Sequence, residues 1–397
     1  MRHPGTGGDL AGAGRVPAVG GGGTSERQAA LREVVLLFLK LGTIGFGGPA
    51  AHIALMHDEV VRRRRWLSDA EFLDLVGATN LIPGPNSTEL AIHLGYRRAG
   101  AWGLVLAGAS FIVPAFLTVL ACAWAYVRYG ALPEVQAALY GAKPAILAVV
   151  VHALWRLGRT ALKDAATVVA ATAAVVLAFA GVHELLLLAA GGLGLCLVRG
   201  LRPPGALWAG AGLAAAGPTA VPFDLATLFF TFLKIGSVLF GSGYVLLAFL
   251  RADFVVRLGW LTEAQLLDAV AVGQVTPGPV FTTATFVGYL LGGGVGAVVA
   301  TVGIFLPAFV FVAATHPLVP RMRRSAVASA FLDGVNAVSL ALMAAVTWHL
   351  GTAAVVDAPT AVLAAVALAV VAQGRVNSAV VLVACAGVGL LVRALAP

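Results

Sequence analysis

The feature that most constrains this chain is a series of long apolar stretches separated by short polar ones. Stretches such as Ala101–Val127 and Pro133–Leu154 are long enough, as helices, to cross about 30 Å of hydrocarbon. Only 11% of the 397 residues are charged, whereas a soluble domain carries about 25%. The chain has too little polar surface for water. We therefore predict an all-α, polytopic membrane protein with about 10 to 13 membrane segments.

Two parts of the chain share one sequence pattern. Phe38–Pro85 aligns with Phe232–Pro279 without a gap, and 18 of the 48 positions are identical. The match resumes after one deleted residue and continues through the Pro-Ala-Phe sequences that begin at Pro114 and Pro307. Such internal identity indicates a duplication. We predict a flexible Gly-rich tail over residues 1–30, a first half over 31–202, a membrane-spanning linker over 203–222 and a second half over 223–397.

Basic residues alternate between equivalent loops of the two halves. Arg97 and Arg98 precede the long apolar helix of the first half, where the second half has the uncharged Leu290–Gly294. After that helix the cations lie mainly in the second half, at Arg321–Arg324. Because Lys and Arg concentrate in cytoplasmic loops, equivalent loops should lie on opposite sides of the membrane. We predict an inverted-topology repeat; parallel repeats with randomly placed arginines are the alternative. The net charge of +8 then belongs to membrane loops, and nucleic acid is not predicted as a partner.

Glycine and proline interrupt two apolar segments in each half. Proline removes a backbone donor and glycine weakens a helix, so none of these segments can be one straight helix. Such breaks are tolerated at membrane depth where protein or a wet cavity covers them, and paired breaks point to a transporter's substrate site. A tight turn in a re-entrant hairpin is the alternative. The predicted helix-break residues are Pro49, Pro83, Gly84, Pro85, Pro277, Gly278 and Pro279.

The chemistry around these breaks favours an anion. A helix that restarts after a break presents free amide groups with partial positive charge. Lys40 and Lys234 occupy equivalent positions inside apolar sequence, where a charge is costly and usually functional; snorkelling to lipid headgroups is the alternative. The predicted substrate-binding residues are Lys40, Gly47, Gly48, Asn86, Ser87, Thr88, Lys234, Gly241, Ser242, Gly243, Thr282 and Thr283.

The acidic residues suggest two different roles. Glu89 follows a break and has no acidic equivalent in the second half, so it is a candidate for coupling to a proton or ion. A hydrogen bond to a neighbouring half-helix is the alternative. Asp74 and Asp268 follow candidate N-caps at Ser68 and Thr262, and a structural role is predicted for both. The cysteines and histidines lack metal-ligand spacing, so we predict no metal and no cofactor.

Four motifs resemble those of the chromate ion transporter (CHR) family in its long, two-domain form: Phe-Gly-Gly-Pro at 46–49, Pro-Gly-Pro-Asn-Ser-Thr-Glu at 83–89, Phe-Gly-Ser-Gly-Tyr at 240–244 and Pro-Gly-Pro at 277–279. The resemblance extends from Phe38 to about Val392, with one departure at Ser242, where glycine is expected. It implies a multi-pass protein of the bacterial cytoplasmic membrane that exports chromate and confers chromate resistance. For some members it implies transport of sulfate or other oxyanions.

The leading hypothesis is a secondary transporter that exports chromate by alternating access. The membrane potential would drive export, and whether proton exchange also contributes is left open. A sulfate or phosphate carrier is the alternative within this class. An anion channel and a membrane-embedded oxyanion reductase are the alternatives from other classes, and the sequence offers no haem, flavin or paired-thiol pattern for a reductase. The predicted partners are an oxyanion and membrane lipid; a homodimer is left open.

Overall fold

The computed structural model describes residues 24–201, 222–240, 243–315 and 325–395. The tail before residue 24, the linker from 203 to 221, Gly241, Ser242 and the basic cluster Arg321–Arg324 lie outside these ranges. The described chain folds into helices α1 (Thr24–Ile44), α2 (Gly48–His57), α3 (Asp69–Thr79), α4 (Asn86–Tyr129), α5 (Pro133–Ala161), α6 (Ala165–Phe179), α7 (Glu184–Val198), α8 (Leu225–Val238), α9 (Leu246–Leu250), α10 (Glu263–Val275), α11 (Thr283–Thr315), α12 (Ala326–Ala354), α13 (Ala358–Ala372) and α14 (Ser378–Leu395).

The second half repeats the helices of the first in the same order, so that α8 to α14 correspond to α1 to α7. The irregular places recur as well. Helix α2 continues into the π-helix Asp58–Arg63, and α9 continues into the π-helix Arg251–Arg257. The backbone of α4 leaves the helical region at Ala99 and Gly100, and that of α11 does so at Gly292 and Gly293. The predicted all-α fold with two homologous halves is confirmed.

Capping side chains begin the short helices α3 and α10, as the sequence predicts. The hydroxyl of Ser68 accepts a hydrogen bond from the amide of Glu71, and the Glu71 carboxylate accepts one from the Ser68 amide. Thr262 and Gln265 form the same reciprocal pair at the start of α10. Each pair satisfies two amides that a helix start leaves without an intrahelical partner.

Helices of each half pack against helices of the other half, so the two halves do not form separate bundles. Helix α5 of the first half packs on α13 and α14 of the second, and α12 of the second half packs on α6 and α7 of the first. Helices α4 and α11 cross each other between the halves. The largest buried apolar cluster accordingly contains residues of both halves, from Ile112 to Cys385. This packing between the halves brings segments that are distant in sequence to one central region.

The apolar surface agrees with a multi-pass membrane protein. Among the described residues, four helices have the length and apolar composition to cross a membrane: α4, α5, α11 and α12. Five shorter apolar helices accompany them: α6, α7, α8, α13 and α14. Large apolar side chains such as Trp102, Leu117, Val169 and Trp348 are exposed. Exposed apolar surface of this extent is typical of a protein that spans a membrane.

Candidate functional site

Each predicted break separates two helices in the structure. In the first half the chain is non-helical over 45–47 and 80–85. In the second half it leaves the helix after Val238 and after Val275, and a 3₁₀ turn at Val280–Thr282 precedes α11. The breaks therefore leave helix starts, with their free amides, inside the bundle.

The breaks of one half hydrogen-bond to those of the other. The amide of Gly84 donates to the carbonyl of Leu239 at 2.8 Å, and the amide of Gly278 donates to the carbonyl of Gly45 at 2.8 Å. Gly84 and Gly278 are equivalent in the repeat, and so are Gly45 and Leu239. Such a reciprocal contact is what a two-fold relation between the halves produces. The four breaks thus meet at one place.

Only glycine fits at the centre of this junction. Gly278 has φ +91°, and a Cβ atom there would lie 2.5 Å from the Cβ of Ala115 on α4. Gly84 has φ +140°, and a Cβ atom there would overlap the carboxylate of Glu89. Side chains rarely adopt these φ values. Glycine in the Pro-Gly-Pro sequences therefore allows both the tight turn and the close approach of α4.

A cavity of about 920 Å³ lies beside the joined breaks. Its floor is formed by the starts of α2 and α4, the segment before α9 and the 3₁₀ turn before α11. Helices α5 and α12 and the turn between α13 and α14 form its walls. The predicted residues that line the cavity are Gly47, Pro49, Pro85, Asn86, Ser87, Gly243 and Pro279. Four helix starts from both halves therefore face one space.

The charged side chains that line the cavity are Arg156 on α5, Lys163 just after α5 and Asp333 on α12. Lys163 binds the Asp333 carboxylate at 2.6 Å, and Arg199 binds the same carboxylate at 2.7 Å. Arg156 lines the cavity without an ion-pair partner among the described residues. His152 lies one turn before Arg156 and lines the cavity too. Within these walls the cavity carries a positive charge.

Neither Lys40 nor Lys234 lines the cavity, and their contact with the substrate stays a prediction. The Nζ atom of Lys40 lies 2.7 Å from the Glu59 carboxylate, and that of Lys234 lies 2.6 Å from the Asp253 carboxylate. The two acids are buried on the equivalent π-helices. A buried carboxylate needs a cationic partner. The lysines therefore meet a charge of the protein itself in this conformation.

The remaining predicted residues fall into three groups. The hydroxyl of Thr282 donates to the carbonyl of Pro279, and that of Thr283 donates to the carbonyl of Val280. These hydroxyls stabilise the turn before α11 and do not line the cavity, and their predicted contact with the substrate stays a prediction. Gly241 and Ser242 lie outside the described residues. The other predicted residues that do not line the cavity are Gly48, Thr88, Pro83, Gly84, Pro277 and Gly278.

Glu89 lies at the junction of the breaks, behind the cavity. The residue is fully buried, and neither carboxylate oxygen has a hydrogen-bond partner among the residues that the structure describes. It contacts the backbone of Gly84, the residue that donates to the other half. A buried ionisable group without a partner is costly and is usually functional.

Sequence reasoning missed a second charged cluster, which joins the halves on the side of the junction formed by α10. Lys143 on α5 lies 3.3 Å from the Asp268 carboxylate on α10, and the hydroxyl of Tyr126 on α4 donates to Asp268 at 2.9 Å. The side chain of Asp268 is only 5% exposed. No local pattern pairs Lys143 with Asp268. The Lys40 and Lys234 partners could have been found, because Glu59 and Asp253 occupy equivalent acidic positions in the repeat.

The comparisons with known proteins agree with this architecture. The sequence profile of the chromate transporter family matches residues 32–195 and again residues 226–390, one match for each half. The chain is 34% identical over 376 residues to a chromate transport protein of Cupriavidus metallidurans, covering 91% of this chain and 93% of the relative. It is 37% identical over 327 residues to a chromate transport protein of Pseudomonas aeruginosa, covering 78% of each.

A third relative is the probable chromate transport protein of Synechococcus elongatus, 32% identical over 353 residues, which cover 85% of this chain and 89% of the relative. No solved structure matches the chain. Both halves match the same family profile, and the relatives align over most of their own length. The chain therefore belongs to the chromate transporter family.

Proposed function

We propose that this protein is a secondary transporter that exports chromate across the bacterial cytoplasmic membrane and thereby confers chromate resistance. The observation that carries the proposal is the convergence of four helix starts, two from each half, on one cavity. The relatives described as chromate transport proteins support chromate as the substrate. Sulfate is the alternative substrate, because it has the same tetrahedral shape and the same charge.

The helix starts suit a doubly charged anion. Each helix N-terminus is equivalent to about half a positive charge, and its first amides have no partner within the helix. Gly47, Asn86, Ser87 and Gly243, which belong to these helix starts, line the cavity. Backbone amides at helix starts can bind an anion without a charged side chain.

An asymmetry between the equivalent halves supports alternating access. Helix α10 packs on α5, α12 and α14, whereas its equivalent α3 packs mainly on α4. Lys143 and Asp268 are in contact. The equivalent of Lys143, Asn336, lines the cavity. The equivalent of Asp268, Asp74, lies on an exposed helix face. If the halves exchange conformations, α3 docks where the cavity is now and α10 withdraws. The cavity then opens on the opposite side.

The basic residues around the cavity indicate the side of the membrane to which it opens. Arg156, Lys163 and Arg375 lie at or next to its walls, and such residues concentrate on the cytoplasmic side. We infer that this conformation is open to the cytoplasm. At 100 mV, negative inside, the outward movement of a dianion is favoured by about 4.6 kcal/mol, which is twice about 2.3 kcal/mol per charge. The membrane potential alone can therefore drive export.

Reconstitution of the full chain in liposomes tests the function. Liposomes are loaded with chromate, and valinomycin with a potassium gradient sets the potential. We expect chromate efflux that saturates with concentration, accelerates when the inside is negative and is reduced by internal sulfate. Protein-free liposomes and a reversed potential are the controls.

Other outcomes of the same experiment point elsewhere. A strong preference for sulfate or phosphate would make chromate a secondary substrate. Flux that rises with concentration without saturating would indicate a channel. Loss of chromate absorbance without movement would indicate a reductase. If none of the three oxyanions moves faster than in protein-free liposomes, the proposal fails.

Cysteine labelling tests the inverted topology. Arg159 and Thr352 are equivalent, and both are exposed. In a background in which alanine replaces Cys122, Cys196 and Cys385, we expect Arg159→Cys to react with an impermeant thiol reagent only from the cytoplasm. Thr352→Cys should react only from the opposite side. Labelling of both from one side would mean parallel repeats.

Proton coupling through Glu89 is expected to appear in the pH dependence of transport. Glu89→Gln removes the titratable group at the junction while keeping its size, so the ratio of variant to wild-type flux should change with pH. Comparing this ratio, measured in liposomes, cancels the protonation of chromate itself. Glu134→Gln, at an exposed position on α5, is the control. A constant ratio for Glu89→Gln would exclude Glu89 from coupling.

A further inference from the structure

One positive charge at the cavity has no ion-pair partner among the described residues. Lys163, Asp333 and Arg199 form a connected ion-pair group at the cavity wall. Arg156, on the cavity-facing side of α5, has no hydrogen bond or ion pair among the described residues. Its guanidinium group is accessible from the cavity, and Arg is always protonated. An anion that enters the cavity supplies the negatively charged partner that Arg156 does not find among the described residues.

Two buried hydroxyl groups on the same cavity also lack partners. Ser87 is 2% exposed and Ser339 is 3% exposed, and both line the cavity. The buried Ser339 hydroxyl has no hydrogen-bond partner in the described part of the chain, and the Ser87 hydroxyl makes no hydrogen bond there either. Thr160, in the same wall, differs because its hydroxyl donates to the carbonyl of Leu157 at 2.9 Å. Buried polar groups are nearly always paired, so unpaired ones that line a cavity indicate a ligand.

We propose that Arg156, Ser87 and Ser339 contact the transported tetrahedral dianion directly and determine its affinity, an inference that rests on the proposed function. The three side chains come from three elements: α5, the start of α4, and α12. They approach the cavity from different walls, which suits a tetrahedral ion with oxygens in several directions. Arg156 supplies charge, and the two hydroxyls donate to individual oxygens.

The serines make a clean test, because their hydroxyls form no hydrogen bond with any described residue. Ser87→Ala and Ser339→Ala should therefore leave the melting temperature of the detergent-purified protein unchanged. We expect each to raise the dissociation constant for radiolabelled sulfate, measured by equilibrium dialysis, and the KM for chromate flux in liposomes about tenfold. Arg156→Ala should raise both constants more than tenfold, and Arg156→Lys should have an intermediate effect. Thr160→Ala removes an already bonded hydroxyl and is the matched control.

The outcomes separate the two proposals. If the wild type moves chromate and the serine and arginine variants keep wild-type constants, this inference fails and the proposed function stands. The inference also fails if Thr160→Ala weakens binding as much as the serine variants, because the effect is then not specific. If the wild type binds sulfate but moves no oxyanion, the proposed function fails, and the dialysis still decides the role of the three residues. If the wild type binds neither ion, both proposals fall.

Discussion

Gly278→Ala is expected to abolish chromate flux and to lower the yield of folded protein strongly. The added Cβ atom would lie 2.5 Å from the Cβ of Ala115, at a backbone φ of +91°. The φ value alone costs about 1–2 kcal/mol for an L-residue, and overpacking against a buried helix adds about 1–3 kcal/mol. The shift would also weaken the hydrogen bond from Gly278 to Gly45, which joins the halves. Flux in liposomes and the melting temperature measure both effects.

Gly181→Ala separates the backbone cost from the packing cost. Gly181 has φ +82°, and a Cβ atom there meets no atom within 4 Å. This variant should lose only about 1–2 kcal/mol of stability and should retain its flux. Equal losses in the two variants would mean that crowding at the junction is unimportant. Wild-type flux in Gly278→Ala would show that transport does not need this close approach of the breaks.

Breaking the Lys143–Asp268 pair is expected to destabilise the conformation in which α10 is docked. Lys143→Met leaves the buried Asp268 carboxylate without its cation, and Asp268→Asn leaves the ammonium group of Lys143 without its anion. Loss of one partner from a buried pair costs about 3–5 kcal/mol. We expect a clear fall in melting temperature for each single variant. Chromate flux should fall as well, because α10 can no longer close its side of the cavity.

The double variant Lys143→Met/Asp268→Asn makes this prediction specific. With both charges removed, most of the lost stability should return, since no unpaired charge remains. Asp74→Asn is the matched control, because Asp74 is the exposed equivalent of Asp268, and its melting temperature should change little. Additive losses in the double variant would mean that Lys143 and Asp268 act independently of each other.

Several parts of the fold could be predicted from the sequence because their causes are local. The apolar length of α4 and α5 requires a membrane, and the Pro-Gly-Pro sequences cannot continue a helix. Ser68 and Thr262 cap α3 and α10 because a hydroxyl followed by Glu or Gln three residues later satisfies a helix start. The internal repeat transferred each of these predictions from one half to the other.

The roles of the charged side chains were harder to predict because they depend on partners far along the chain. Lys40 and Lys234 stand out in apolar sequence, yet their partners Glu59 and Asp253 make them part of the protein's own charge balance. In the sequence, Arg156 resembles the other basic residues next to loops, but in the structure it lines the cavity. The difference between a paired and an unpaired cation is a property of the neighbours, which a single segment does not contain.

By itself, the sequence determined a duplicated, helical, membrane-embedded chain with two broken segments in each half. These properties follow from hydropathy, helix length and the backbone chemistry of glycine and proline, all of which act within a few residues. The packing of the helices was needed to show that the four breaks meet through the amides of Gly84 and Gly278, and that α10 packs on α5, α12 and α14 while its equivalent α3 packs mainly on α4. The physical reason is the packing of α5 and α12 on helices of the other half, because contacts between such distant segments depend on how whole helices pack.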